Sequence, residues 1–355
     1  MLLIVNEVQR MLANEKSLLI NQLKVGMLSA SDINFEGRLL LAKGAIITNS
    51  TIKTLNENYI VDSVEVYTQD NSKKLPAIKT TTTEQVEHAL NEFSVSLEKV
   101  FDNLSNSIEE LRAFSNKIQD EFSKTGLVIR DMIFYNNTSD TIYRHSVNVS
   151  AISFILGKWI GLNEKEINLL TYSALLHDFG KTKISKHILN KETSLTLKEK
   201  KILKAHPILG YNFVKNIPFL DSSVGYGVLM HHERIDGTGY PFALKSEKIH
   251  KFAKVIAIAD LFDNISSNNE QGPFEALKTI QDEALIRLDY NYCNMFLHHI
   301  VNYCMGETVI LNDNRQCKVI KVDINDLTHP LLLDDNGFID LKKEKDLYIK
   351  KMLIS

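Results

Sequence analysis

Tyr172-Ser173-Ala174-Leu175-Leu176-His177-Asp178-Phe179-Gly180-Lys181 is the stretch on which the reading of this chain turns. An apolar helical run ends on an imidazole and a carboxylate side by side. Side chains at adjacent helical positions diverge by roughly 100°. Such a pair can therefore serve two neighbouring cations, the histidine binding one and the carboxylate bridging both. Gly180 stands where a left-handed helix stop is expected, and Lys181 lies one turn from His177.

Further imidazoles and carboxylates lie outward from this stretch. Of eleven histidines, seven fall between 145 and 250. A second doublet, His231-His232, ends another helical run and is followed by Glu233. Asp260 sits inside Val255-Ile256-Ala257-Ile258-Ala259-Asp260-Leu261-Phe262, a nearly unbroken apolar helix. A carboxylate buried alone there costs several kcal/mol even after relaxation, so it requires a cation. Imidazole with carboxylate suits Fe, Mn, Zn or Ni. A hydrolytic two-metal site holds its ions ~3.5–4 Å apart around a shared oxygen ligand. His187, His250, His298 and His299 read as structural or surface residues.

The pattern around these motifs is helical from Asp140 to about Leu297. Asn163 with Glu166 and Thr196 with Glu199 have capping-box spacing, and Pro207 is expected to kink or break the helix carrying His206. Upstream, Val86, Leu90, Phe93, Leu97, Val100, Leu104, Ile108 and Leu111 form an apolar stripe on one helix over 84–118. It fits packing on the rest of the chain or a homodimer seam equally well. Residues 20 to 67 alternate short apolar runs with Gly-containing turns, a small β-rich module with one or two helices. Residues 69 to 84, with Pro76 and a run of Thr, read as a linker. Thr308–Leu311 and Cys317–Val322, joined by Asn312-Asp313-Asn314, predict a hairpin. The expected fold is mainly α, with a helical catalytic domain over 135–303 and a helical connector over 81–134. A small α/β module over 1–80 and a small β-rich extension over 304–355 flank them.

Composition limits the function classes. With 355 residues, 44% apolar and 24% charged, the chain suits a globular protein with a large core. A net charge of −3 gives no reason to expect a nucleic-acid polymer as partner. Cys293, Cys304 and Cys317 form no CxxC pair and suggest a reduced, cytoplasmic chain. The opening MLLIVNEVQR lacks a basic leader region and a small-residue cleavage site, and no membrane span is expected.

Taken in order, the motifs resemble one family. Tyr143-Arg144-His145-Ser146-Val147-Asn148-Val149, Ala174 to Lys181, Ile188-Leu189-Asn190-Lys191, His206-Pro207 with Gly210-Tyr211, His231-His232-Glu233-Arg234-Ile235-Asp236-Gly237-Thr238-Gly239-Tyr240-Pro241 and Ala257-Ile258-Ala259-Asp260 are similar to the successive motifs of the HD-GYP phosphodiesterases, a branch of the HD-domain metal-dependent phosphohydrolases. The match covers about residues 135 to 300. The resemblance implies His145, His177, Asp178, His206, His231, His232 and Asp260 as metal ligands, with Asp178 bridging. It implies two divalent transition-metal ions, Fe or Mn first and Zn or Ni compatible. Lys181 would face the scissile phosphate, and Asp263 would hold the attacking water or order the residues behind the ligands. Arg234 and Asp236 would flank the substrate. The implied reaction is hydrolysis of the 3′–5′ phosphodiester bonds of cyclic di-GMP to pGpG, GMP or both. The rival readings are a degenerate member that binds a nucleotide or partner, and a hydrolase of another cyclic nucleotide.

Two departures stand out against that family. Where some members carry a third-metal Glu four residues before the first histidine, this chain has Thr141, so two ions are expected rather than three. The basic stretch usual after the Asp260 helix is replaced by Ile265-Ser266-Ser267-Asn268-Asn269-Glu270-Gln271-Gly272-Pro273-Phe274.

Overall fold

The computed structural model describes residues 14–19, 22–24, 27–31, 33–35, 38–41, 47, 52, 63–68, 83–103, 108–124, 141–191, 193–267, 272–335 and 337–353. The chain divides into two compact units, Met1–Thr80 and Thr81–Ser355.

In the first unit, β1 (Asn14–Leu19), β5 (Ser63–Thr68) and β2 (Leu28–Ser29) form an antiparallel sheet in the order β1-β5-β2. β3 (Ile33–Phe35) and β4 (Arg38–Leu41) make a separate hairpin. Alternation along β5 turns Val64 and Val66 inward, and they close a small core with Leu23 and Ile47. The β-rich expectation holds here. The module's expected helices and the 69–82 part of the linker fall outside the described residues.

The second unit is mainly helical. The predicted 84–118 helix is two elements, α1 (Thr83–Asn103) and α2 (Ile108–Lys124); Leu104 falls outside the described residues. Leu90, Phe93, Leu97, Val100 and Leu111 are buried in the core of this same unit.

The core layer consists of α3 (Ile142–Trp159), α4 (Glu164–Leu176), α8 (Ser222–Met230) and α9 (Lys251–Ser266), with short α5 (Lys186–Leu189), α6 (Leu197–Leu203) and α7 (His206–Val214) between α4 and α8. Both capping boxes form as predicted, starting α4 at Asn163 and α6 at Thr196. Thr141, the residue in place of the family's Glu, caps α3: its Oγ1 accepts from the Arg144 N–H at 3.1 Å. Val255 to Ala259 are buried all round α9, as its uninterrupted apolar sequence requires. α10 (Gly272–Ala284) and α11 (Tyr290–Cys304) complete the helical set.

The C-terminal sheet runs β10-β6-β7-β8-β9, from β6 (Thr308–Leu311), β7 (Gln316–Asp323), β8 (Asp326–Asp334), β9 (Gly337–Asp340) and β10 (Ile349–Leu353). The predicted hairpin is β6–β7. Val309, Leu311, Val319 and Leu332 join the helical core. Among the described residues no helix is long and apolar enough to cross a membrane.

Two local expectations are corrected. Gly180 does not adopt a positive φ. It lies in a 3-10 helix over Phe179–Lys183, and a Cβ there would meet the His206 carbonyl oxygen at 1.9 Å and the Gly210 nitrogen at 2.7 Å. Close backbone approach, not helix termination, requires glycine. Pro207 does not break a helix but opens α7, in the first turn, where a missing N–H costs nothing.

Candidate metal centre

Helix ends build most of the site. The last carbonyls of a helix lack intrahelical donors. His177 caps the end of α4, His231 caps the end of α8, and His206 follows the end of α6. Each turns its ring back on the helix it ends. Nδ1 donates to the carbonyl three residues earlier: His177 to Ala174 at 2.7 Å, His206 to Leu203 at 2.8 Å and His231 to Val228 at 2.7 Å. These partners fix the tautomers, so each Nε2 presents a lone pair. His145, inside α3, is fixed differently: its Nδ1 faces Asp263 Oδ2 at 2.7 Å.

The consequence is a cluster of acceptors. His206 Nε2 and His231 Nε2 stand 3.2 Å apart, and Asp178 Oδ1 lies 3.2 Å from the first and 3.9 Å from the second. His145 Nε2 and His177 Nε2 are 3.3 Å apart, with Asp178 Oδ2 at 3.6 and 3.5 Å and Asp260 Oδ1 at 3.1 and 3.9 Å. All these side chains are buried. Asp178 Oδ1 has no hydrogen-bond partner. Lone pairs packed this closely repel unless a cation lies among them. The donor set, imidazole nitrogen with carboxylate oxygen and no thiolate, fits first-row divalent metals.

Two groups of side chains among the described residues could each hold a metal ion. One comprises His145, His177 and Asp178, and the other Asp178, His206, His231 and His232. Asp178 belongs to both and offers a different oxygen to each. Asp260 stands beside the first group through Oδ1 and reaches toward the second through Oδ2, 4.0 Å from His232 Nδ1. All seven residues expected as ligands are thus brought together from five separate stretches of chain.

Electrostatics keep His177, His231, His232, Asp178 and Asp260 in a form able to ligate. Burial, then the neighbouring imidazoles, holds His231 well below the usual histidine range, and burial lowers His177 likewise. Burial takes His232 down to about 3 against the pull of Asp260. Burial also opposes charge on Asp178, but His177, Lys181, His206 and His145 outweigh it and hold its carboxyl well below the ordinary range. Asp260 is lowered in the same way, its burial overcome by His145 and His232. His145 differs: burial disfavours its charge, yet Asp260 and Asp263 raise it to about 10. Two carboxylates there demand a positive charge.

Residues 128–291 match the family model of the HD domain. Over that segment the chain is similar to HD domains. A cyclic di-GMP phosphodiesterase response regulator of Xanthomonas campestris, RpfG, is 31% identical to it over 160 residues, 45% of this chain and 42% of that protein. A 3′3′-cGAMP-specific phosphodiesterase of Vibrio cholerae is 30% identical over 148 residues, 41% of this chain and 31% of that protein. The chain therefore spans less than half the length of these two relatives. Among solved structures, the HDG"Y"P protein Bd1817 of Bdellovibrio bacteriovorus aligns with a TM-score of 0.54 at 19% identity. The alignment covers 81% of this chain and all of that one, so the two share a fold.

Around these two groups, the other expected residues take varied places. Lys181 Nζ lies 2.5 Å from Asp178 Oδ2 with 26% of its side chain exposed, at the edge of the group. Asp263 has both oxygens engaged, Oδ2 with His145 and Oδ1 accepting from Asn148 Nδ2 at 2.8 Å. It orders the residues behind the ligands and does not stand among them. Arg234 Nη1 donates to the carbonyls of Glu233 and His231 at 3.0 and 3.3 Å. Asp236 is exposed and accepts from the Thr238 N–H and hydroxyl at 2.9 and 2.8 Å. That is a turn-forming role beside Gly237, whose φ of +84° suits glycine. Residues 268–271, where the family's basic stretch is replaced, fall outside the described residues.

Sequence reasoning gave no role to four residues. Glu233 is buried and accepts the Phe242 and Leu244 N–H groups at 2.7 and 2.9 Å, tying down the loop after His232. Tyr240 stacks on His232 with centroids 4.6 Å apart. Asn148 holds Asp263, and Asn264 donates to Asp260 Oδ1 at 2.8 Å. The two asparagines had a signal: they lie three residues after His145 and four after Asp260, on the same helix faces.

Proposed function

We propose that this chain is a metal-dependent cyclic di-GMP phosphodiesterase of the HD-GYP type, hydrolysing 3′–5′ phosphodiester bonds to pGpG, GMP or both. The observation that carries the reading is the buried meeting of imidazole Nε2 atoms and carboxylate oxygens around Asp178, with an ammonium at its edge. Two divalent ions, Fe or Mn before Zn or Ni, match the two ligand groups that share Asp178. Bound there, such ions polarise a phosphoryl group and supply a nucleophile from water at neutral pH. The protein's own part is positioning and charge. The fixed tautomers aim Nε2 inward, Asp263 keeps the His145 ring in place, and Lys181 is placed to offset negative charge growing on the phosphoryl oxygens. Arg234 and Asp236 shape the loop that borders the substrate. The three buried, unpaired cysteines support a cytoplasmic setting.

A second substrate class has specific support, since a 3′3′-cGAMP-specific relative is 30% identical over 148 residues. The test is turnover of cyclic di-GMP and 3′3′-cGAMP by Mn- or Fe-loaded protein, beside a His177→Ala, Asp178→Ala double variant, with metal content measured in each. Cyclic di-GMP hydrolysis by the parent protein and at least a ~10³-fold loss in the variant is the expected result. Equal rates in both samples end the assignment to these residues. Preference for 3′3′-cGAMP replaces the substrate and leaves the chemistry standing.

A further inference from the structure

The stretch from Lys181 to Lys215 carries nine lysines and two glutamates in a chain whose net charge is −3. Several of these lysines are committed. Lys181 pairs with Asp178, Lys191 Nζ with both oxygens of Glu199 at 2.8 and 2.7 Å, and Lys183 lies over the rings of Phe179 and Phe213. Lys204 is placed differently. It caps the end of α6, two residues before the ligand His206. Its Nζ stands 5.0 Å from the centroid of Tyr240, the ring that stacks on the ligand His232. Lys204 is exposed, and no carboxylate of the described residues lies within ion-pair distance of its Nζ. An ammonium resting on an aromatic face keeps N–H donors free for an anion.

We propose that Lys204 binds the second, non-reacting phosphate of a cyclic dinucleotide at the rim of the metal centre. This rests on the phosphodiesterase reading above. A cyclic dinucleotide carries two phosphodiesters, and only one of them can react at the ligand group at a time. The other keeps its full charge and gains most from a cation outside the metal site. Tyr240 fixes where that cation stands, because its ring is held against His232. A substrate with one phosphate has no use for Lys204, so the residue also favours the dinucleotide over smaller diesters.

The test compares the full-length Mn-loaded protein with Lys204→Met and Lys204→Arg, on cyclic di-GMP and on bis(p-nitrophenyl) phosphate. Loss of a charge-assisted contact predicts a rise in KM for cyclic di-GMP of roughly tenfold or more in Lys204→Met. The ratio of kcat/KM for cyclic di-GMP to that for the small diester falls by a similar factor. Lys204→Arg restores KM to within about threefold, because it keeps the charge and the ring contact. A KM within twofold of the parent in Lys204→Met, or equal losses on both substrates, overturns the proposal while the phosphodiesterase reading stands. A parent protein that hydrolyses the small diester but neither cyclic di-GMP nor 3′3′-cGAMP overturns both.

Discussion

A histidine at the end of a helix has an acceptor ready for one nitrogen, and this chain uses that three times. His177, His206 and His231 each satisfy a carbonyl left over at a helix terminus. The same bond that completes the helix end aims Nε2 at Asp178. His145 has no helix end, so Asp263 does the aiming, with Asn148 holding Asp263 from the other side. Asp263→Asn keeps the shape and removes the charge. It is expected to weaken metal affinity by about 10–100-fold, as loss of a carboxylate behind a ligating histidine does. Titration against a competing chelator, with circular dichroism to confirm folding, measures this; unchanged affinity would show that His145 needs no carboxylate to hold it. All seven expected ligands meet because a polar residue inside an apolar helix, such as Asp260, announces its need for a partner. Glu233 and Tyr240 gave no such sign. Their roles depend on partners, Leu244 and His232, that only the folded loop brings near.

At the scale of elements, local rules were legible wherever they were local. The capping boxes at Asn163 and Thr196 form because cap and carboxylate are three residues apart on one turn. Gly180 was misread because its constraint comes from another part of the chain: α7 begins directly over it. Pro207 was misread for a related reason, since a proline that interrupts a helix and one that starts it have the same sequence neighbourhood until the true boundary is known. The 3-10 turn and the start of α7 thus touch backbone to backbone, and this contact sets the spacing of Asp178 and His206. Gly180→Ala puts a methyl group 1.9 Å from the His206 carbonyl oxygen. Something in the backbone must shift, at a cost of about 3 kcal/mol. Urea unfolding should show the lowered midpoint, and metal content should fall with it as Asp178 and His206 separate. A variant as stable as the parent would mean that α7 moves aside freely.

For the whole molecule, the helical middle and the C-terminal strands were readable from periodicity, whereas the five segments that meet at the site were legible only through the resemblance of their motifs to one family. The expected ligands come from α3, the end of α4, the start of α7, the end of α8 and the middle of α9. Their first and last members are separated in sequence from His145 to Asp260. A cation bound there links five stretches of chain at once, and without it their lone pairs and carboxylates repel within a buried volume. Metal binding is then folding free energy for the unit Thr81–Ser355. At a free metal concentration about 100 times Kd, the linkage is worth about 2.7 kcal/mol. For a unit of this size that moves Tm by about 5–10 °C. Thermal unfolding of Mn-loaded protein, before and after exhaustive chelation, should show this drop, and re-addition of Mn should reverse it. His206→Ala, Asp178→Ala removes ligands from both groups, so its Tm should respond little to either treatment. If the parent protein's Tm is indifferent to chelator while it still binds metal, the ion sits elsewhere, and the convergence around Asp178 must be held together by protons instead.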